Sequence, residues 1–226
     1  MIYIFLFLIE IVVLYFLSRN LTKNLTRVFY NLTRKKNWTV YLLSIFFLPG
    51  TFIHEISHFL TALFLLVPVG NIELIPKVDK EMDQNVKLGS VPIAKVDFVR
   101  NTLVGIAPII FGIGIIFAAI FYVISKSLFS NVWVTLGVAF LSFQVGNTMF
   151  LSKKDLEGSW VFLVFLAFLF TIFYLVGIRI DIATNSFLSE TFVEIVKKAD
   201  IFFLVPIFID TLFLLILFQF SRRTVR

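Results

Sequence analysis

The sequence predicts an all-α polytopic membrane protein of about six transmembrane helices, with a small β-hairpin or sheet between the second and third spans. Three observations predict it. Hydrophobic residues make up 59% of the chain, thirty of its 226 residues being Phe, and the mean hydropathy is +0.98; both lie far outside the range of a water-soluble domain. The apolar residues gather into stretches around 1–18, 39–68, 102–125, 132–151, 160–178 and 201–220, near the length of about 20 residues that a bilayer core requires. Between them no polar stretch reaches the length of 50 or more residues that an independent soluble domain needs, so residues 1–226 read as one membrane domain.

The elements follow in order. The first apolar stretch begins at Met1 and runs to Leu17 with no basic leader and no small-residue cleavage pattern, which predicts a retained span. After it comes RNLTKNLTRVFYNLTRKKNWT, a repeated Asn-Leu-Thr-basic unit whose Leu21, Leu25, Val28 and Leu32 fall at helical spacing. That pattern predicts a basic amphipathic helix lying in the membrane interface. The stretch also holds four glycosylation-type triplets, at Asn20, Asn24, Asn31 and Asn37, but the helical repeat is the favoured reading.

The second span leads into VGNIELIPKVDKEMDQNVKLGSVPIA, where Ile72/Leu74 and Val86/Leu88 alternate with polar neighbours. Alternation across a charged centre predicts a hairpin, an ordinary loop being the other reading. The third span, LVGIAPIIFGIGIIF, carries Gly105, Gly112 and Gly114, which permit close helix approach. Before the last span, NSFLSETFVEIVKKAD predicts a short amphipathic helix with Ser189 or Asn185 as its cap. Six spans place both termini on one side. The twenty Lys and Arg then divide equally between the two faces, so basic residues choose no orientation. The net charge of +6 fits anionic lipid headgroups and calls for no nucleic acid. With no Cys, disulfides, thiolate metal sites and cysteine nucleophiles are excluded.

Inside the second span stands PGTFIHEISHFLTALFLLVPVG, residues 49–70. Ionisable groups in a span are costly and mark function by default. His54 and His58 are the only two histidines, and their i, i+4 spacing puts both imidazoles on one helix face, where they can converge on a metal ion. Glu55 lies beside them, the place of a general base in the H-E-x-x-H signature of zinc hydrolases. The competing reading is a pair of histidines hydrogen-bonding between helices. A catalytic zinc site takes a third protein ligand, and with no other His and no Cys it must be a carboxylate. The candidates within or bordering spans are Glu10, Glu73, Asp97, Asp155, Glu157, Asp200 and Asp210.

The H-E-I-S-H pattern in a membrane helix, followed by a β-rich loop, a Gly-rich span and GNTMFLSKKDLEG, resembles the site-2 protease family of intramembrane zinc metalloproteases. In that family an Asn precedes by eight residues the Asp that completes the zinc site, and Asn147 and Asp155 match this spacing. The local pattern departs from the family's: Lys154 replaces the usual Leu, no proline intervenes, and Leu156-Glu157 separate Asp155 from Gly158. Glu157 is therefore a rival ligand.

The resemblance implies a zinc metalloendopeptidase with a catalytic core at about 39–160 and accessory helices at 1–38 and 161–226. Zn2+ would be held by His54, His58 and Asp155, with Glu55 as general base and Asn147 on the substrate backbone or oxyanion. A plain interhelical amide contact is the other role for Asn147. The implied partners are the lipid bilayer and single-span membrane proteins, cut in a plasma membrane of prokaryotic type by a multi-pass enzyme. A substrate helix must unwind before cleavage, and the segment VGNIELIP is placed to hold it as an added strand. Glu10, Asp210 and Gln144 read as structural. Two other readings stand beside this one: an interfacial membrane zincin using Glu157, and a non-catalytic metal-binding membrane protein or transporter, which would have no need of Glu55.

Overall fold

The computed structural model describes residues 2–74, 88–94, 96–150 and 190–223, and these are helical almost throughout. Six α-helices are described: α1 Ile2–Thr33, α2 Lys36–Phe46, α3 Leu48–Phe64, α4 Phe98–Ser125, α5 Val132–Thr148 and α6 Glu190–Arg223. Among the described residues, Phe98–Val123 in α4 and Asp200–Leu217 in α6 are long and apolar enough to cross a bilayer, and α2 with α3 makes a third candidate if the bent pair counts as one span. The expected span at 160–178 lies outside the described residues.

α1 joins two elements that the sequence suggested separately. Its 32 residues span about 48 Å, carrying the first apolar stretch and the Asn-Leu-Thr repeat in one helix. No Gly or Pro interrupts it, and its polar side chains bond within it: Asn24 Nδ2 donates to the Asn20 carbonyl at 2.9 Å, and Thr26 Oγ1 to that of Thr22 at 2.7 Å. The leucine stripe packs on protein. Leu21 and Leu25 are buried with Leu43 of α2, Phe47, Leu88 and Phe143 of α5. A stripe of that spacing fits a bilayer surface and a protein groove equally well, and here the groove takes it. Likewise α6 continues the short helix expected before the last span directly into that span.

The second apolar stretch is broken. α2 and α3 meet at a 77° bend, with Phe47 between them at φ −96° and ψ 10° and Pro49 in the first turn of α3. Proline suits a first turn, where an N–H has no helical partner anyway, and cannot sit in an unbroken helix interior. The carbonyl of Phe46 at the break accepts a hydrogen bond from Gln144 Nε2 of α5 at 2.8 Å, so α5 braces the bend. Asn131 starts α5, its Oδ1 accepting from the N–H groups of Trp133 and Val134.

No strand is formed among the described residues. The stretch between α3 and α4 pairs at two isolated antiparallel bridges, Val69 with Ile93 and Glu73 with Ser90. The charged centre of the expected hairpin, at 75–87, lies outside the described residues.

α5 is the axis of the packing, touching α1, α3, α4 and α6. Residues 142–150 are all buried. Small residues let these neighbours close in. A Cβ on Gly146 would meet Pro206 Cβ of α6 at 3.2 Å and Leu14 of α1 at 3.4 Å, and one on Gly112 would meet Met149 Cβ at 3.1 Å. Gly114, grouped with Gly112 on sequence grounds, faces open space. One apolar core joins Leu14, Ile116, Val145, Met149, Phe202 and Phe203, with Phe7 edge-on to Phe203 at 5.1 Å.

Candidate metal and catalytic site

α3 has two faces. Gly50, Thr51, His54, Glu55, Ser57, His58 and Ala62 are buried, while Phe52, Leu60, Leu63 and Phe64 are exposed. The polar residues thus point into the bundle and the apolar ones outward, the inverse of a soluble helix and the pattern of a helix bathed in lipid. His54, Glu55 and His58 are only 4%, 4% and 6% exposed.

The histidines converge. His54 Nε2 and His58 Nε2 stand 3.2 Å apart, with the rings edge to face. His58 Nδ1 lies 2.7 Å from the carbonyl oxygen of Val104 on α4. A carbonyl only accepts, so His58 Nδ1 carries the hydrogen and its Nε2 presents a lone pair toward His54. Metal-ligating histidines are held in this way, the second ring nitrogen donating to a carbonyl or carboxylate. Two Zn–N bonds of about 2.0–2.1 Å at a tetrahedral angle enclose nitrogens roughly 3.3 Å apart, which the observed separation matches. The pair therefore fits a zinc ion as two of its ligands.

The carbonyl of Val104 is available for a specific reason. In an α-helix it would accept from the N–H of residue 108, and residue 108 is proline, inside α4. The proline removes the competing donor, and His58 of the neighbouring helix takes its place.

α5 sets the depth of α3. A Cβ on Gly50 would fall against the Gln144 carbonyl oxygen and, at 2.6 Å, the Thr148 hydroxyl oxygen, so the backbones touch one turn before His54. Over Glu55 lies the segment holding Leu88, Gly89 and Ser90. Leu88 is buried in the core, Ser90 pairs with Glu73 through N–H to O contacts of 2.9 and 2.8 Å, and Gly89 sits against the glutamate. A Cβ on Gly89 would stand 2.9 Å from Glu55 Oε1 and 2.8 Å from Thr51 Cγ2. Only glycine lets this strap lie so close to the carboxylate.

The third ligand is narrowed by position. Asp155 and Glu157 lie outside the described residues. Asp97 caps α4, its Oδ1 accepting from the Arg100 N–H at 3.0 Å and its Oδ2 3.3 Å from Arg100 Nε. Asp210 accepts from Asn147, and Glu10 of α1 lies within electrostatic reach of Asp200 of α6. Among the described residues no three His, Asp or Glu side chains gather in a group able to hold a metal.

Asn147 makes an interhelical amide contact, the second of the two roles that the sequence offers it. Its Nδ2 donates to Asp210 Oδ1 at 2.6 Å and to the Phe143 carbonyl at 3.0 Å. With one amide hydrogen given to Asp210 of α6 and the other to Phe143 within α5, it has none to offer an oxyanion in this arrangement. Sequence reasoning missed Val104, Pro108 and Gly89, whereas Gln144, read as structural, braces the bend at Phe46. Of the three missed residues only Pro108 had a signal, a proline within a span that frees the carbonyl four residues earlier.

Fold and site together define a helical bundle of membrane character with a buried, carbonyl-anchored H-E-x-x-H pair. Compared with protein-family models, with curated proteins and with solved structures, the chain shows no match to any of the three.

Proposed function

We propose that this chain is an intramembrane zinc metalloprotease that hydrolyses peptide bonds of transmembrane-helix substrates. The observation that carries this reading is the pair of histidine Nε2 atoms 3.2 Å apart, one ring locked through Nδ1 to Val104, with Glu55 buried on the same helix face. His54, His58 and Asp155 are the proposed ligands. The fold of the proposal has about six spans, the fifth at 160–178, with a strand-like strap between the second and third.

A zinc ion held by His54, His58 and Asp155 would supply Lewis acidity, lowering the pKa of a bound water and polarising a peptide carbonyl. Glu55 takes the proton of the attacking water on its carboxylate and returns it to the leaving amine. His58, fixed by Val104, keeps its lone pair aimed without rotating. Burial of the face among α3, α4, α5 and the strap excludes lipid from the reacting groups. Asn147 acts at one remove, tying the end of α5 to α6 just before the chain runs on toward Asp155.

The test is the zinc content of the detergent-purified protein, measured beside cleavage of a single-span membrane protein. Near-stoichiometric zinc that is lost in His54→Ala and Asp155→Ala, but kept in Glu55→Ala while cleavage stops, supports the reading. A wild-type protein that takes up no zinc when metal is supplied overturns it and leaves the histidines as interhelical contacts. Zinc retained by Asp155→Ala and lost by Glu157→Ala moves the third ligand to Glu157.

A further inference from the structure

The strap over Glu55 shuts the candidate site. His54, Glu55 and His58 are all buried, and a single Cβ on Gly89 would already stand 2.9 Å from Glu55 Oε1, so no peptide chain fits between strap and carboxylate. We propose that Leu88, Gly89 and Ser90 form a lid, latched by the Leu88 side chain, that lifts to admit an extended peptide and closes over Glu55 for the reaction. What the lid admits rests on the protease reading; the lifting itself does not, and is measured without cleavage.

A protein substrate reaches groups buried this deeply only if a wall of the site moves, and the wall that moves is the one held by fewest buried contacts. α3 is tied to α4 by the contact of His58 with the Val104 carbonyl at 2.7 Å and set backbone to backbone against α5 at Gly50. The strap is held by much less. One isolated bridge, Glu73 with Ser90, gives it two backbone hydrogen bonds of 2.9 and 2.8 Å. One side chain anchors it, since Leu88 is 3% exposed while Gly89, Ser90 and Val91 are half-buried and Pro92 is exposed.

The two ends of the strap differ. Leu88 sits in the apolar cluster of Leu21 and Leu25 of α1, Leu43 of α2, Phe47, and Phe143 of α5. Beyond Ser90 the chain is fastened to a separate cluster: the Gly70 N–H donates to the Pro92 carbonyl at 2.8 Å, Val69 bridges to Ile93, and both pack on Ala62, Val67 and Val104. The strap therefore has a fixed base at Pro92 and Ile93, a pivot at Val91 and a single removable latch at Leu88. Gly89 lies between pivot and latch, directly on the carboxylate. Withdrawing one leucine and opening one bridge uncovers the general base, and the return stroke seals the site again, as closing lids do around a bound substrate.

The chain contains no Cys, so Leu88→Cys supplies its only thiol, and alkylation by a maleimide counts the departures of residue 88 from its pocket. Leu43→Cys puts the same thiol in the wall of that pocket, on α2, and is the reference. In the detergent-purified full chain Leu88→Cys should react at least about tenfold faster than Leu43→Cys, because local opening precedes global unfolding. Amide hydrogen exchange at Glu73 and Ser90 of the wild type should outpace that of α3 by about the same factor, a measurement that needs no variant. Equal alkylation rates, or Glu73 and Ser90 exchange as slow as that of α3, overturn the lid and leave the strap a fixed wall. The maleimide adduct cannot re-enter the pocket, so alkylated Leu88→Cys should lose most of its cleavage with zinc content unchanged; full cleavage by the adduct overturns the closing step. A protein that neither binds zinc nor cleaves overturns the protease reading alone, since the thiol and amide rates still decide the lid.

Discussion

His58 of α3 donates through Nδ1 to the Val104 carbonyl of α4 at 2.7 Å, and that carbonyl is open because Pro108 has no N–H to fill it. Two helices thus share one hydrogen bond, which places the hydrogen of His58 on Nδ1 and turns the lone pair of Nε2 toward His54. Pro108→Ala restores an N–H four residues after Val104 and makes it compete with His58. Zinc affinity, measured against a chelator of known strength, should fall about tenfold or more, as when a ligating histidine loses its outer partner. The nitrogen-15 shifts of His58 should move toward mixed tautomers in the metal-free protein. Unaltered shifts and affinity would show that the Val104 contact orients nothing.

In the proposed mechanism Glu55 would separate binding from chemistry. Glu55→Gln keeps the size and burial of the side chain while removing its basicity, so metal content should stay near the wild-type value. Cleavage should drop by about 10²–10⁴-fold, the range for a lost general base. Activity within a few-fold of wild type would assign the proton transfer to another group.

The motif was legible because H-E-x-x-H encodes its geometry locally: i, i+4 spacing on any helix brings His54 and His58 together. What lies around it was not. Hydropathy averages over residues 39–68 and so passes over the bend at Phe47, which Pro49 and the Gln144 bond to Phe46 create. The leucine stripe of α1 was read correctly as helical but assigned to the membrane surface, since Leu21 and Leu25 have the same spacing whichever apolar partner buries them. Alternation at Ile72/Leu74 suggested a hairpin, and the described backbone makes two bridges there. The Asn147 spacing suggested catalysis, but only the packing of α6 reveals Asp210 as its partner.

Gly89 tests the strap over Glu55. Gly89→Ala places a methyl group 2.9 Å from Glu55 Oε1, and either the strap lifts or the carboxylate swings. Overpacking of this kind costs about 1–3 kcal/mol, so the melting temperature should fall modestly. Cleavage should fall much further, with zinc content unchanged because His54 and His58 are not touched. Activity that declines only in proportion to folded protein would reduce the strap to a packing element.

Asp210 tests the α5–α6 tie. Asp210→Ala leaves the Asn147 amide hydrogen without its acceptor in a fully buried place, at a cost of about 1–3 kcal/mol, and adds a small void. Asp210→Asn keeps a carbonyl oxygen where Oδ1 stands and should lose much less. Thermal unfolding in detergent should therefore rank wild type and Asp210→Asn together, with Asp210→Ala clearly lower. Because Asp210 lies off the α3 face that carries the histidines, zinc content of the folded fraction should be equal in all three proteins. A selective loss of zinc in Asp210→Asn would mean that this carboxylate, and not only its hydrogen bond, acts on the metal site.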